Sequence, residues 1–481
     1  MKKITYTLVL VIGWFGYAVF ESISGAAAWK DARAEFLEAG ESLDPSIRFA
    51  EEVPAAENFA AIPELVGITL RTEEGEEVRD RLEALALKDE TVRWPKTRGS
   101  RRRDLHLPRQ TYDLDAVHTY LKETGLLEVN GSSVDPAADL YAAVSEEHGA
   151  LIRALGAASD RPNAILLPLA SSLHDPSTPL ITEAMPQFQT LLALAKGLNL
   201  FAVSALRSDH PGEAADALNS MFRLAEASTA DGKQLIAHLV AIAIRTIATE
   251  SIWEGIQTKA WTSDQLLGLQ TEIESARPRK DFTDSMRVEL LLMLDVLDRI
   301  SGGGPGMELL HAEAAPFPQF ILAPWIDHNR AALMANYVDG YIEPMKQDLP
   351  YPQVGEIAEA MNQRLRNRSV WNLRSFISSV AVPALVGAVK KTAEHETTLT
   401  QAALACALER YFIDHATYPD SLQALVPDFV EALPRDPMNH QPMRYRRIDG
   451  GRYQLHSVGW DGRDNGGNEG DITWNSQPTS D

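Results

Sequence analysis

Cysteine is almost absent from this chain, since Cys406 is the only one among 481 residues. A single thiol excludes any intrachain disulfide, so the fold must be held by packing. It also excludes a lipid anchor on an N-terminal cysteine, because no cysteine lies near the start. Cys406 stands among small apolar residues of a predicted helix, which indicates a buried thiol rather than a reactive one.

Positive charge is also scarce. The chain has 45 lysines and arginines against 67 aspartates and glutamates, and its formal net charge is −22. Nucleic acids and anionic membrane surfaces would repel it on average, because both are bound through basic side chains. One basic cluster, Lys96, Arg98 and Arg101 to Arg103, lies in a predicted loop, where we expect it to be solvated. Nucleic acid is therefore not an expected partner.

The common catalytic motifs are missing. None of the twelve histidines forms an H-E-x-x-H motif or an i, i+4 pair, so no zinc site is predicted. There is no G-x-S-x-G sequence, and Ser301–Gly306 is followed by no Lys-Ser/Thr of a phosphate-binding loop. We therefore expect a non-catalytic protein. The alternative is an extracytoplasmic hydrolase with a site in the helical region, because catalytic residues can be distant in sequence.

An uncharged segment, Ile4–Phe20, follows two lysines at the N-terminus. As a helix it would be about 25 Å long, slightly shorter than a bilayer core of about 30 Å. Two interpretations are open: a retained signal-anchor helix, or a signal peptide cleaved after Ala26–Ala28. The length of the apolar segment favours the anchor. We expect residues 4–20 to cross the inner membrane once, with the rest of the chain extracytoplasmic.

The length predicts two to four packing units, and a composition of 45% hydrophobic and 23% charged residues is typical of a globular protein. Helical periodicity between 186 and 277 predicts an antiparallel bundle or a short solenoid. Five segments follow: a signal anchor or signal peptide (1–28), a mixed α-rich region (29–163), a helical bundle (164–300), a Gly/Pro linker with a packing segment (301–370) and an α+β domain (371–481).

Local patterns predict several helix ends. Gly40 closes the charged helix that continues after Trp29, as a glycine does at a helix C-terminus. Thr262 and Gln265 have the spacing of a capping box. The segment Asp113–Gly125 has a helical pattern of its own.

The last quarter of the chain predicts a helix followed by a small sheet. The helix is expected around Ala402–Tyr411, where apolar residues recur on one face. Met443–Ile448 and Arg452–Ser457 alternate in polarity on either side of a turn that contains two glycines. This pattern predicts a β-hairpin.

Carboxylates are concentrated in the glycine-rich loop from residue 458 to residue 471. They repel one another unless a cation lies between them, and calcium takes six to eight oxygen ligands from flexible loops. The alternative is a solvated acidic turn, because Asp and Gly are common in loops. The candidate metal ligands are Val458, Asp461, Asp464, Asn468, Glu469 and Asp471.

This order of helix, hairpin and acidic loop resembles the globular head of the major pseudopilin of type II secretion. The resemblance spans Val380–Trp474 and rests on Tyr418-Pro419, Leu433–Pro437 and Ser457–Gly462. It implies a calcium ion bound through the Val458 carbonyl and the Asp461 carboxylate. Val380 stands where prepilin processing requires a glutamate, so assembly into a pseudopilus is not expected.

The segment after Trp29, together with this C-terminal block, resembles a group of bacterial envelope proteins of unknown function. The sequence thus predicts a mainly α protein with an N-terminal membrane helix, a helical bundle or short solenoid in the middle, and a pseudopilin-like α+β domain with an antiparallel sheet. We expect it to act through a protein partner in the periplasm, with calcium as the candidate cofactor.

Overall fold

The computed structural model describes residues 2–69, 111–125, 135–166, 187–302, 323–366, 373–376, 385–448 and 451–476, with a few positions between 73 and 80. These residues are mostly helical, and three short strands near the C-terminus form an antiparallel sheet. The prediction of a mainly α protein with a small α+β part is therefore confirmed.

The elements of the described residues are numbered in chain order. The helices are α1 (Lys2–Glu38), α2 (Pro63–Thr69), α3 (Leu114–Thr124), α4 (Pro136–Ser159), α5 (Gln187–Arg207), α6 (Pro211–Ala230), α7 (Leu235–Gln257), α8 (Ser263–Ser275), α9 (Pro278–Ser301), α10 (Ile326–Tyr337), α11 (Glu343–Lys346), α12 (Tyr351–Arg366) and α13 (Leu385–His415). The strands are β1 (Arg444–Ile448), β2 (Arg452–Ser457) and β3 (Ile472–Asn475).

Helix α1 has both solvent-exposed and packed parts. Of the eleven large apolar side chains that are exposed among the described residues, seven lie between Ile12 and Ile23. The helix also packs along α10, and Phe36 near its end is buried in a hydrophobic core. It ends at Glu38, and Gly40 has the positive φ of +79° expected of a glycine that stops a helix.

Among the described residues, helices α5 and α7 contain windows long and apolar enough to cross a bilayer. In α5, 83% of this window is buried inside the protein, and in α7, 61%. Helices α5, α6 and α7 pack against one another, and such burial is typical of core helices. The two windows are therefore weak evidence for a membrane span.

Helix α13 contributes to two hydrophobic cores. The first core combines residues of α4 to α8 with the face of α13 from Leu399 to Leu408 and with buried residues of the sheet. The second combines α9 to α12 with the first turns of α13, from Leu385 to Ala393. The segment 371–481 thus shares its central helix with the rest of the chain.

The described strands form a sheet of order β1-β2-β3. In the pairing of β1 with β2, Arg444 lies opposite His456 and Ile448 lies opposite Arg452, which confirms the predicted hairpin. Residues 449 and 450 of its turn lie outside the described residues. In the pairing of β2 with β3, Thr473 lies opposite His456.

Side-chain hydrogen bonds connect the sheet to the helices. The Gln401 side chain on α13 donates to the carbonyl of Ile472 at 2.6 Å. The indole of Trp253 on α7 donates to the carbonyl of Asn475 at 2.8 Å. Strand β3 is therefore fixed to both the helical region and α13.

Two other predicted helix ends are confirmed. Thr262 and Gln265 form the capping box of α8, with each side chain accepting the backbone N–H of the other. Helix α3 begins after Asp113, whose side chain caps it, and ends before Gly125. The basic cluster at 96–103, the linker residues 303–306 and Val380 lie outside the described residues.

Candidate functional site

The acidic loop leaves the sheet at the end of β2 and returns at the start of β3. Asp436 fixes its first residue, because the Asp436 carboxylate accepts the Ser457 hydroxyl at 2.8 Å and the Val458 N–H at 3.3 Å. This carboxylate is buried, and burial raises its pKa. In the sequence Asp436 belongs to the segment Leu433–Pro437 and gives no signal for this contact.

The two ends of the loop meet at Gly459 and Gly470. Gly459 has a φ of +64°, and a Cβ atom added there would lie only 1.8 Å from the Gly470 carbonyl oxygen. Only glycine fits at this position without a shift of the backbone. The Asp461 carboxylate is close by, since a Cβ added to Gly470 would lie 3.0 Å from its Oδ2.

Three side chains converge beside this loop: His456, Asp464 and Asp471. Nε2 of His456 lies 3.0 Å from Oδ1 of Asp464 and 4.0 Å from Oδ2 of Asp471. One ligand atom of each residue lies within 4.8 Å of the other two, which is close enough to share a metal ion. His456 gives no signal of this role in the sequence, where it is only one polar residue of a hairpin strand.

Protein donors already contact both carboxylates. Asp471 is 2% exposed and accepts the backbone N–H groups of Asn465 and Gly467. Asp464 accepts the N–H of Gly466 and the Arg444 guanidinium, each at 3.0 Å. The Gly466 N–H, followed by His456 and Arg444, lowers the pKa of Asp464 to about 2. Asp464 is therefore ionised at neutral pH.

The other predicted ligands make different contacts. Asp461 and Glu469 do not belong to the group that converges on His456. Asp461 accepts the backbone N–H of Arg463, and Glu469 is exposed. The amide of Asn468 donates to the carbonyl of Asn465 at 2.7 Å. Of the predicted acidic ligands, Asp464 and Asp471 are thus the ones that the structure brings together.

The donor set fits a divalent cation and fits calcium only in part. Two carboxylates supply the oxygen ligands that calcium prefers. An imidazole nitrogen, in contrast, is a common ligand of zinc and other transition-metal ions. A calcium ion here would need further oxygens, and the nearby Asp461 carboxylate and the loop carbonyls are the available sources.

A cleft of about 730 Å³ lies between α9, α13 and the segment 430–434. Its residues include Glu396 on α13, whose carboxylate accepts the Tyr351 hydroxyl at 2.6 Å. Burial raises the pKa of Glu396. The residues that line this cleft include no histidine, serine or cysteine, so it offers no nucleophile and base of the usual hydrolase type.

A smaller cavity of about 240 Å³ lies within the helical region, between α6, α8 and α9. It contains the carboxyl groups of Glu226, Glu272 and Asp281, and burial raises the pKa of each. Arg245 pairs with Asp281 at 3.5 Å. Carboxyl groups with raised pKa values in a cavity are one feature of acid–base catalytic sites.

Comparisons with protein-family models, with curated proteins and with solved structures find no match for this chain.

Proposed function

We propose that this protein is a non-catalytic, single-pass membrane protein whose body lies outside the cytoplasm and acts by binding another protein. In this proposal residues 4–20 form a retained signal anchor in the inner membrane. The C-terminal part is a pseudopilin-like unit that binds calcium. The observation that carries the proposal is the structure of α1.

Helix α1 presents apolar side chains outward between Ile12 and Ile23, as a membrane helix does. Ile12, Phe15 and Phe20 are between 59% and 63% exposed, which is unusual for large apolar residues of a globular protein. Trp14 and Tyr17 lie in the same stretch and are residue types common at membrane interfaces. Contact with lipid would remove this apolar surface from water.

The region just after this stretch is attached to the protein body. Glu21 is fully buried, and the Arg374 guanidinium donates two hydrogen bonds to its carboxylate. Nε2 of His328 lies 3.0 Å from the Ser24 hydroxyl and 3.3 Å from Glu21. A Cβ added to Gly25 would lie 3.1 Å from the His328 ring, so the two helices are in close contact.

These contacts favour the retained anchor over a cleaved signal peptide. Cleavage after Ala28 would remove Glu21 and leave Arg374 and His328 without this partner. The helix is also continuous through Ala26–Ala28. We therefore expect the mature chain to keep its N-terminal segment.

Mass spectrometry of the protein extracted from membranes tests this proposal. We expect an intact mass that includes the N-terminal segment, and resistance to extraction with alkaline carbonate. A matched control is a variant that carries a known cleavable signal peptide before Trp29, which should be released from the membrane. A native chain that begins at Trp29 would contradict the anchor.

The calcium part of the proposal is supported by the cluster of His456, Asp464 and Asp471. A cation there would connect β2, the loop and the start of β3. The long helix α13 followed by a three-stranded sheet agrees with the order of elements in the pseudopilin head.

The alternative, a hydrolase in the helical region, has one observation in its favour, the small cavity with Glu226, Glu272 and Asp281. Its test is turnover of a panel of chromogenic glycosides and esters by the full chain. Activity that is lost in Glu272→Gln and kept in the exposed-site variant Glu73→Gln would support the hydrolase. The absence of turnover that depends on Glu272 would count against it.

A further inference from the structure

The cleft between α9, α13 and the segment 430–434 has the size and lining of a ligand site. Its volume of about 730 Å³ lies in the range of small-molecule pockets, about 300–1,000 Å³. Apolar side chains from four parts of the chain form much of its wall: Ile273, Met345, Leu399, Ala403, Val430 and Pro434. Such a wall suits an unbranched apolar group.

The charged residues around the cleft differ from the rest of the chain. The protein has a net charge of −22, yet the lining contains five cationic side chains and four acidic ones. One of the acids, Glu396, is hydrogen-bonded to Tyr351, and burial raises its pKa and favours its neutral form. The charge at the cleft is therefore more favourable to an anion than the net charge of the whole chain is.

Most of these cations already have acidic partners. Lys280 pairs with Asp284 at 2.5 Å, and Arg287 and Lys346 both pair with Glu41. Within the described part of the chain Arg277 has no such partner. Its Nη1 donates to the carbonyls of Glu274 and Ala276, which leaves its other N–H groups available for a ligand.

Arg277 also stands at the N-terminus of α9. It is the N-cap residue of this 24-residue helix, and its side chain does not cap the helix. The free N–H groups of a first helical turn carry partial positive charge, which adds to that of the guanidinium. The cleft wall around Arg277 is therefore suited to a negatively charged group.

We propose that this cleft binds an amphiphile with one carboxylate head group and an unbranched apolar chain. The carboxylate contacts Arg277 at the N-terminus of α9, and the chain lies along Leu399, Ala403 and Val430. Arginine suits a carboxylate because its fork of donors matches the two oxygens. The proposal does not depend on the membrane anchor or on the metal cluster, which involve other residues.

The test is photo-crosslinking of the full chain in lipid nanodiscs with a dodecanoate that carries a diazirine in its chain. We expect labelled peptides that contain residues 399–403 or 430–434. An excess of dodecanoate should compete, whereas dodecyltrimethylammonium, with the opposite charge, should not. Labelling confined to α1, or equal competition by both amphiphiles, would overturn the proposal, because either result means that the probe reports lipid contact alone.

Variants separate the head-group contact from the chain contact. Arg277→Ala should reduce labelling of the cleft about tenfold, the usual effect of losing a charge-assisted hydrogen bond. Arg277→Lys should restore part of it, and the exposed-site control Arg153→Ala should have no effect. Thr400→Trp, which fills the cleft, should abolish labelling. If cleft labelling is the same in Arg277→Ala and the unmodified chain, the carboxylate assignment is wrong, whether or not Thr400→Trp folds.

Discussion

Arg374 and Glu21 are 353 positions apart in the chain and form a two-point ion pair. Nε of Arg374 lies 2.8 Å from one carboxylate oxygen of Glu21, and Nη2 lies 2.7 Å from the other. This pair attaches the N-terminal helix to the segment just before α13. One buried carboxylate thus helps to fix the position of α1 relative to the C-terminal part.

Loss of this pair should destabilise the protein. Arg374→Ala leaves the buried Glu21 without its main donors, and an unsatisfied buried acceptor costs about 1–3 kcal/mol. The measurement is thermal unfolding of the full chain in a mild detergent. The control is Lys280→Ala, which removes a pair whose lysine is 70% exposed and should cost at most about 0.5 kcal/mol. Equal effects of the two variants would contradict the role given to Glu21.

Gly459 and Gly462 provide a matched test of the loop geometry. Both have positive φ, +64° and +66°, but an added Cβ meets the Gly470 carbonyl only at Gly459 and meets nothing within 4 Å at Gly462. Gly462→Ala should cost the backbone strain alone, about 1–2 kcal/mol. Gly459→Ala should cost clearly more, because the loop must open. Chemical denaturation measures both, and equal costs would mean that the loop ends do not meet.

Calcium binding predicts a stabilisation that depends on the ion. An ion that binds only the folded state adds about 2.7 kcal/mol at a hundred times its Kd. Asp461→Ala should lower the melting temperature in calcium, and an identical shift in chelator would refute the calcium role. His456→Ala distinguishes the metals: if zinc raises the melting temperature and this variant abolishes the effect, the site holds a transition-metal ion instead.

Asp464 predicts a loss of stability in acid. Its folded pKa is lowered from 3.8 to about 2, so the unfolded chain takes up the proton first as the pH falls. Its stabilising contribution is complete above about pH 4 and disappears as the pH falls through 2. The difference in melting temperature between the unmodified chain and Asp464→Asn should shrink between pH 4 and pH 2. A constant difference over this interval would contradict the prediction.

Local signals in the sequence predicted the local structure well. The capping box of α8, the glycine after α1 and the hairpin of β1 and β2 depend on residues close together in the chain, and each is confirmed. The candidate ligand His456 could not be found in this way, because β3 must return beside β2 before the histidine meets Asp464 and Asp471. The position of α13 between two cores was also missed, since periodicity shows that a face is apolar and not what covers it.

Helix α7 is capped by a side chain from a distant helix, which is another contact that local sequence signals could not show. This cap predicts a pH dependence of stability opposite to that of Asp464. The N-cap residue Gln234 offers no side-chain hydrogen bond to α7, and Glu289 on α9 accepts the Leu235 N–H at 3.0 Å instead. Burial raises the pKa of Glu289 above its usual 4.5, so the unfolded chain loses the proton first as the pH rises.

The free energy of unfolding should therefore fall as the pH rises above about 4.5, because ionisation of Glu289 favours the unfolded chain. Glu289→Gln keeps an oxygen acceptor and cannot ionise. Between pH 4 and pH 7 the melting temperature of this variant should therefore rise relative to that of the unmodified chain. Glu289→Ala removes the cap and should cost about 1 kcal/mol, a typical value for loss of a helix cap. A difference between Glu289→Gln and the unmodified chain that does not change with pH would mean that the carboxylate is ionised as readily in the folded protein as in water.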